Sequence, residues 1–128
     1  MKNQAWIKAL FYIAFVYDAF LGVAFILFHD NLFAMFEVAP PNHPGYVQFP
    51  GALLIVFGMM YLQIAREPVR SCNLIPYGML LKVAYCAIVF AYWFSSGIPG
   101  MWKPWAIADL VFLGLFGIAL MQLRKARA

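Results

Sequence analysis

The chain has 128 residues, of which 66% are hydrophobic and 11% are charged, and its formal net charge is +4. Soluble domains contain roughly 45–50% apolar and about 25% charged residues, and a chain this short has too little interior to hide so much apolar surface. The composition excludes an ordinary soluble domain and predicts one membrane domain over residues 1–128. The basic residues lie at the ends of apolar runs, which indicates the lipid bilayer as partner and argues against nucleic acid.

Four continuous apolar runs follow one another along the chain. The first covers residues 5–28, and it is too long for a signal peptide and lacks a cleavage site, so we expect a retained span. The others cover residues 46–65, 74–94 and 102–123. Each is close to the roughly 20 residues that cross a bilayer as a helix. The sequence therefore predicts an all-α fold, an integral membrane four-helix bundle that crosses the membrane four times.

The loop between the first two runs contains an apolar stretch at residues 31–38. Asp30 or Asn31 is a suitable N-cap for a helix here. We expect a short interfacial helix whose apolar side chains face lipid, namely Leu32, Phe33, Met35 and Phe36. The alternative is a hydrophobic loop that packs against the ends of the long helices.

Most of the cations fall on one side of a four-span topology: Lys2, Lys8, Arg66, Arg70, Arg124, Lys125 and Arg127. By the positive-inside rule this side is cytoplasmic, so both termini are predicted to be cytoplasmic. Several aromatic residues then gather at the opposite interface, as an aromatic belt requires: Tyr46, Trp93, Trp102 and Trp105.

Three ionisable residues lie within the predicted spans: Asp18, Lys82 and Asp109. A charge at membrane depth costs several kcal/mol and is usually turned inward and paired. The helical rise puts the two aspartates near one level, with Lys82 slightly closer to the cytoplasmic side. We predict an ion pair between Lys82 and Asp109, with Asp18 as a second or rival acceptor. The alternative is that Lys82 extends towards the cytoplasmic interface and pairs with nothing.

The charged trio has two interpretations. In one, it only fixes the register of the helices. In the other, it is a site inside the bundle that binds a proton or a ligand, since intramembrane carboxylates also serve as proton relays. Two acids and one base leave one carboxylate formally without a partner, which keeps the second interpretation open.

Six glycines within the spans are predicted to allow close helix packing, either within the chain or between copies of it. Gly78 and Gly22 lie one turn from Lys82 and Asp18, where small residues leave room for the charged side chains. The full set is Gly22, Gly51, Gly58, Gly78, Gly114 and Gly117.

The sequence contains only weak indications of metal-binding or catalytic residues. Two histidines and two carboxylates in the first loop are weak candidates for metal ligands, but their spacing is irregular, so no metal site is predicted: His29, Asp30, Glu37 and His43. The three serines, Ser71, Ser95 and Ser96, stand in loops and form no nucleophile motif, and no P-loop or dinucleotide glycine pattern occurs. The sequence leans towards a protein that is not an enzyme.

Several short segments together form a recognisable pattern: residues 32–38 followed by Pro40 and Pro41, residues 49–54 with Gly58 and Tyr61, residues 65–68, Lys82, and residues 109–112. In these segments the chain resembles the DoxX-like group of small bacterial four-helix membrane proteins. The resemblance covers nearly the whole chain. It implies a four-helix bundle in the bacterial inner membrane and supports Lys82 and Asp109 as a pair, but it implies no particular activity and does not include Asp18.

The leading functional prediction is a non-enzymatic accessory or self-associating membrane subunit. Its partners are the bilayer and other membrane subunits or further copies of itself. No cofactor is predicted, although a groove between the helices could hold a lipid or a quinone. The alternative is a small transporter or proton-linked carrier that uses Asp18, Lys82 and Asp109.

Overall fold

The computed structural model describes residues 4–127, so Lys2 lies outside the described residues. Helix dominates this part of the chain, and no strand occurs in it. The five α-helices are α1 (Gln4–Leu27), α2 (His29–Met35), α3 (Gly45–Arg66), α4 (Ile75–Trp93) and α5 (Lys103–Arg127). All except α2 are long and apolar enough to cross a membrane. The predicted helical fold with four long apolar segments is confirmed at this level.

The long helices begin and end within a few residues of the predicted runs. Pro76 stands in the first turn of α4, where its missing N–H costs nothing. The largest difference is at the end of α5, which continues to Arg127 instead of ending at Leu123. Three basic residues occupy its last turn, and cations there interact favourably with the negative end of the helix dipole.

The short helix α2 differs from its prediction in two respects. It begins at His29, and the preceding Phe28 makes no side-chain capping bond, so neither Asp30 nor Asn31 is the N-cap. Phe33 was expected to face outward, but it is buried and meets the ring of Trp102 edge-on. The expectation is wrong because α2 lies against the end of α1 and the turn that precedes α5, and it places the ring of Phe33 against them, while Met35 stays exposed.

Close backbone contact joins α1 to α3 at two glycines. A Cβ atom on Gly51 would lie 2.9 Å from the carbonyl oxygen of Gly22, and one on Gly22 would collide with the carbonyl oxygen of Gly51. About two turns further along α3, a Cβ atom on Gly58 would lie 3.3 Å from the carbonyl oxygen of Phe15. These three glycines lie where α1 and α3 pack most closely, as small residues allow.

The glycines of α5 behave differently. Gly114 is exposed and has nothing within 4 Å of its Cβ position, and Gly117 has only ordinary contact with Met79 at 3.5 Å. The prediction of intrachain packing at Gly114 is wrong because this face of α5 points away from the other long helices. Packing between copies at this face stays a prediction.

One half of the molecule has a tightly packed core, and we call it the packed half. It is formed by the first halves of α1 and α4 and the second halves of α3 and α5. The rings of Phe11 and Phe116 stack with centroids 4.7 Å apart, and Tyr61 packs beside both. The indole nitrogen of Trp6 donates a hydrogen bond of 3.1 Å to Gln122, which ties α1 to α5.

Large apolar side chains are exposed along the outer surfaces of the long helices. Phe20 is 72% exposed, and the same surface includes Ile13, Phe49, Val56, Met59, Leu80, Ile88, Phe94, Val111 and Met121. Contiguous apolar surface on this scale marks a protein or membrane contact. Together with the four long apolar helices, it indicates a multi-pass membrane protein.

Candidate functional site

The three charged residues of the long helices meet in the interior. Lys82 on α4 donates hydrogen bonds of 3.0 Å from Nζ to Oδ1 of Asp18 on α1 and to Oδ1 of Asp109 on α5. The side chains of Lys82 and Asp18 are each 1% exposed, and that of Asp109 is 11% exposed. We call these three residues the ion cluster. Lys82 therefore does not extend to the molecular surface, and one ammonium group joins three helices.

Aromatic rings complete the surroundings of the ammonium group. Lys82 Nζ lies 5.5 Å from the ring centroid of Tyr17, 5.6 Å from that of Tyr61 and 5.3 Å from that of Phe112. At these distances the negative faces of aromatic rings attract a cation. Gly78 makes room for this arrangement, since a Cβ atom there would lie 2.7 Å from the Tyr61 ring.

The ion cluster is unbalanced in charge and in hydrogen bonding. Two carboxylates face one ammonium group, so the formal charge is negative by one. Oδ1 of Asp18 accepts from Lys82, but Oδ2 of Asp18 is buried and has no hydrogen-bond partner among the described residues. A buried polar atom without a partner is costly and rare, so it calls for a functional explanation.

A cavity of about 520 Å³ extends from the ion cluster to the other end of the molecule. This end, which we call the cavity half, is formed by the second halves of α1 and α4, the first halves of α3 and α5, and α2. Aliphatic and aromatic side chains make up most of the wall: Leu21, Phe25, Phe33, Val38, Tyr46, Val47, Pro50, Leu53, Leu54, Leu81 and Trp102. A volume of this size falls in the range of small-molecule sites.

The cavity carries polar groups where it borders the ion cluster. Asp18, Asp109, Tyr17, Tyr85 and Trp105 all line it. The hydroxyl oxygen of Tyr17 and the indole nitrogen of Trp105 are buried without a hydrogen-bond partner among the described residues. Tyr85 is satisfied, because its hydroxyl group donates to the carbonyl oxygen of Trp102 at 2.8 Å. An apolar wall with a few convergent polar groups is the usual construction of a ligand site.

Sequence reasoning missed the polar lining of the cavity. Tyr17 precedes Asp18 directly, Tyr85 follows Lys82 by three residues, and Trp105 precedes Asp109 by four. Spacings of three and four residues place side chains on one helix face, so the signal was present for Tyr85 and Trp105. Trp102 and Trp105 were assigned to an interfacial belt, whereas the structure places both in the cavity wall.

The weak metal candidates do not form one site. His29 lies 3.1 Å from Asp30, while Nδ1 of His43 accepts a hydrogen bond from the backbone of Gly45. Within residues 4–127 no group of three or more His, Cys, Asp or Glu side chains is arranged to hold a metal ion.

Comparison with protein-family models, with curated proteins and with solved structures finds no match for this chain.

Proposed function

We propose that the protein is a non-enzymatic, four-span membrane protein that holds a lipophilic ligand in the cavity. The observation that carries this proposal is the cavity itself, whose apolar wall ends at residues with buried polar atoms that have no hydrogen-bond partner within residues 4–127. The proposed arrangement is a four-helix bundle in a bacterial inner membrane, of the DoxX-like kind. In such a bundle the protein would act as an accessory or self-associating subunit.

The placement in a membrane is supported by the distribution of surface groups. Exposed apolar side chains surround the long helices, and a lipid environment removes the cost of exposing them to water. The cations Lys8, Arg66, Arg70, Arg124, Lys125 and Arg127 all lie on the packed half. If that end is cytoplasmic, both termini are cytoplasmic and the cavity lies towards the outer face.

The shape and lining of the cavity suit a lipid or a quinone. The apolar wall would take an acyl chain, an isoprenoid chain or a ring by the hydrophobic effect. The polar atoms of Asp18, Tyr17 and Trp105 would fix the head group, since a small number of placed polar groups sets the orientation of a ligand.

Association with other subunits is supported by two apolar surfaces on the outside of α4 and α5. The face of α5 around Gly114 is open and smooth enough for a neighbouring helix to approach closely. At the end of α4 the rings of Phe90, Trp93 and Phe94 stack on one another with centroids 5.7–5.9 Å apart. Either surface suits a second copy or another membrane protein.

The ligand-holding function can be tested with two tryptophan variants of neighbouring residues on α4. Leu81 lines the cavity, whereas Leu80 is 60% exposed on the outer surface. The wild type, purified in lipid nanodiscs and extracted with organic solvent, should yield a specific lipophilic molecule by mass spectrometry. Leu81→Trp should lose it, and Leu80→Trp should keep it. Equal yields from the two variants would contradict a ligand in the cavity.

A second candidate function is a proton-linked carrier, and the unbalanced ion cluster favours it. Asp18 holds a carboxylate oxygen beside the cavity without a partner, and such a group could take up and release a proton during transport. Proton-coupled uptake of a substrate into proteoliposomes would be abolished by Asp18→Asn. Uptake that continues unchanged in that variant would remove Asp18 from this role.

A further inference from the structure

We propose that the ligand is a neutral lipophilic alcohol or phenol, whose hydroxyl group donates to Asp18 and accepts from Trp105. This inference rests on the proposed ligand-holding function and names the chemical class of the ligand. It follows from the hydrogen-bonding capacity of three buried polar atoms that belong to residues of the cavity wall.

Asp18 requires a hydrogen-bond donor. Lys82 bonds to Oδ1 of Asp18, and no group of the described residues donates to Oδ2. An ionised carboxylate can only accept hydrogen bonds. The head group of the ligand must therefore carry hydrogen on oxygen or nitrogen. Esters, ethers and oxidised quinones offer acceptors alone and would leave this oxygen without a partner.

Trp105 requires a hydrogen-bond acceptor. Its indole N–H is a donor only, and it is buried without a hydrogen-bond partner in the part of the chain that the structure describes. Trp105 lies one helical turn before Asp109, about 6 Å away along α5. Asp109 and Asp18 both accept hydrogen bonds from the ammonium group of Lys82. One head group at the inner end of the cavity can therefore meet both Trp105 and Asp18.

Charge decides between a hydroxyl group and a charged head group. An ammonium group could donate to Asp18, but it has no lone pair with which to accept a hydrogen bond from Trp105. A carboxylate or phosphate would add negative charge to a cluster whose formal charge is already negative by one. A neutral hydroxyl group can donate one hydrogen bond and accept another at the same time. The hydroxyl group of Tyr17 can serve as donor or acceptor towards it.

A matched set of probes separates these chemistries. The probes are 4-decylphenol, its methyl ether 4-decylanisole, and decylammonium, which share one chain length. Binding is measured by equilibrium partition into nanodiscs that contain the protein, after subtraction of partition into empty nanodiscs of the same lipid. A hydrogen bond to a charged acceptor at a dry site predicts that the phenol binds at least tenfold more tightly than the ether, on the order of one to two powers of ten.

Two variants test which residues cause the preference for the phenol over the ether. Asp18→Asn removes the charged acceptor but leaves the pair of Lys82 with Asp109, and it should reduce the preference for the phenol to about twofold or less. Trp105→Phe removes only the N–H donor. It should weaken phenol and ether by similar factors, because the oxygen of each accepts that hydrogen bond, and it should leave their ratio unchanged.

The outcomes separate this inference from the proposed function. Equal binding of phenol and ether to the wild type would overturn the alcohol assignment while the ligand-holding cavity stands. Tighter binding of decylammonium than of the phenol would overturn it in favour of a cation site. If no probe exceeds its partition into empty nanodiscs, and extraction also yields no ligand, both the inference and the proposed function fail. A preference for the phenol that survives Asp18→Asn would contradict the role of Asp18.

Discussion

The two halves of the molecule are made from the same four long helices but are packed in opposite ways. In the packed half, Phe11 and Phe116 fill the interior and are both fully buried. In the cavity half, the side chains on the same helices surround about 520 Å³ of space. The ion cluster lies where the two halves meet. The packed half and the ion cluster therefore hold the helices together, which leaves the cavity half free to accommodate a ligand.

The largest effect is expected from Lys82→Met, which breaks the junction between the halves. It leaves two buried carboxylates without their shared cation, and breaking a buried ion pair in this way costs about 3–5 kcal/mol. Reversible unfolding in mixed micelles of dodecyl maltoside and dodecyl sulfate measures the loss of unfolding free energy. Lys125→Met, on the exposed basic tail, is the control and should change little. Equal stability of the two variants would show that the ion cluster does not join the helices.

Truncation of one phenylalanine to alanine in each half tests whether the packed half is filled more tightly than the cavity half. Phe11→Ala opens a void in a filled core and should cost about 3–4 kcal/mol, as such truncations usually do. Phe25→Ala only enlarges a cavity that already exists and should cost about half as much. The same unfolding assay compares them. A greater loss for Phe25→Ala would mean that the cavity half is the better packed of the two.

Glycine-to-alanine exchanges probe the contact between α1 and α3. Gly22→Ala forces a methyl group onto the backbone of α3 and should cost about 1–3 kcal/mol by overpacking. Gly114→Ala enters open space and should stay within about 0.5 kcal/mol of the wild type. If Gly114→Ala changes the oligomeric state by analytical ultracentrifugation, that face of α5 is an interface between copies.

Only a small effect on stability is expected from Asp18→Asn. The exchange removes the surplus negative charge and leaves Lys82 paired with Asp109, so the unfolding free energy should change by less than about 1 kcal/mol. Thermal unfolding in detergent, followed by circular dichroism, is sufficient to detect a larger change. A loss as large as that of Lys82→Met would show that Asp18 is a structural partner and not a group held ready for a ligand.

The sequence was sufficient for the helices, because hydropathy and helix breakers act locally. The first predicted run, 5–28, became α1 (Gln4–Leu27), and the second, 46–65, became α3 (Gly45–Arg66). The three charged residues were also identifiable, because an ion in an apolar run has few places to go. Their expected level in the helices agrees with the geometry in which Lys82 reaches both carboxylates.

The cavity could not be predicted from the sequence, because its existence depends on which faces of the helices meet. The residues of its wall come from all five α-helices, the loop after α2 and the turn before α5, and no local pattern shows that they enclose space. The same reason explains Phe33, whose burial depends on how α2 lies on α1 and on the turn that precedes α5. Gly114 and Gly22 look alike in sequence, yet only one of them contacts another backbone.

Crystallography in a lipidic cubic phase with 4-(10-bromodecyl)phenol tests the central claim most directly. Anomalous scattering locates the bromine without relying on weak density for the chain. The expected result is a peak at the end of the cavity away from the ion cluster, near Phe33 and Tyr46, with the phenol oxygen between Asp18 and Trp105. Bromine found only on the outer surfaces of the helices, with the cavity unoccupied, would contradict it.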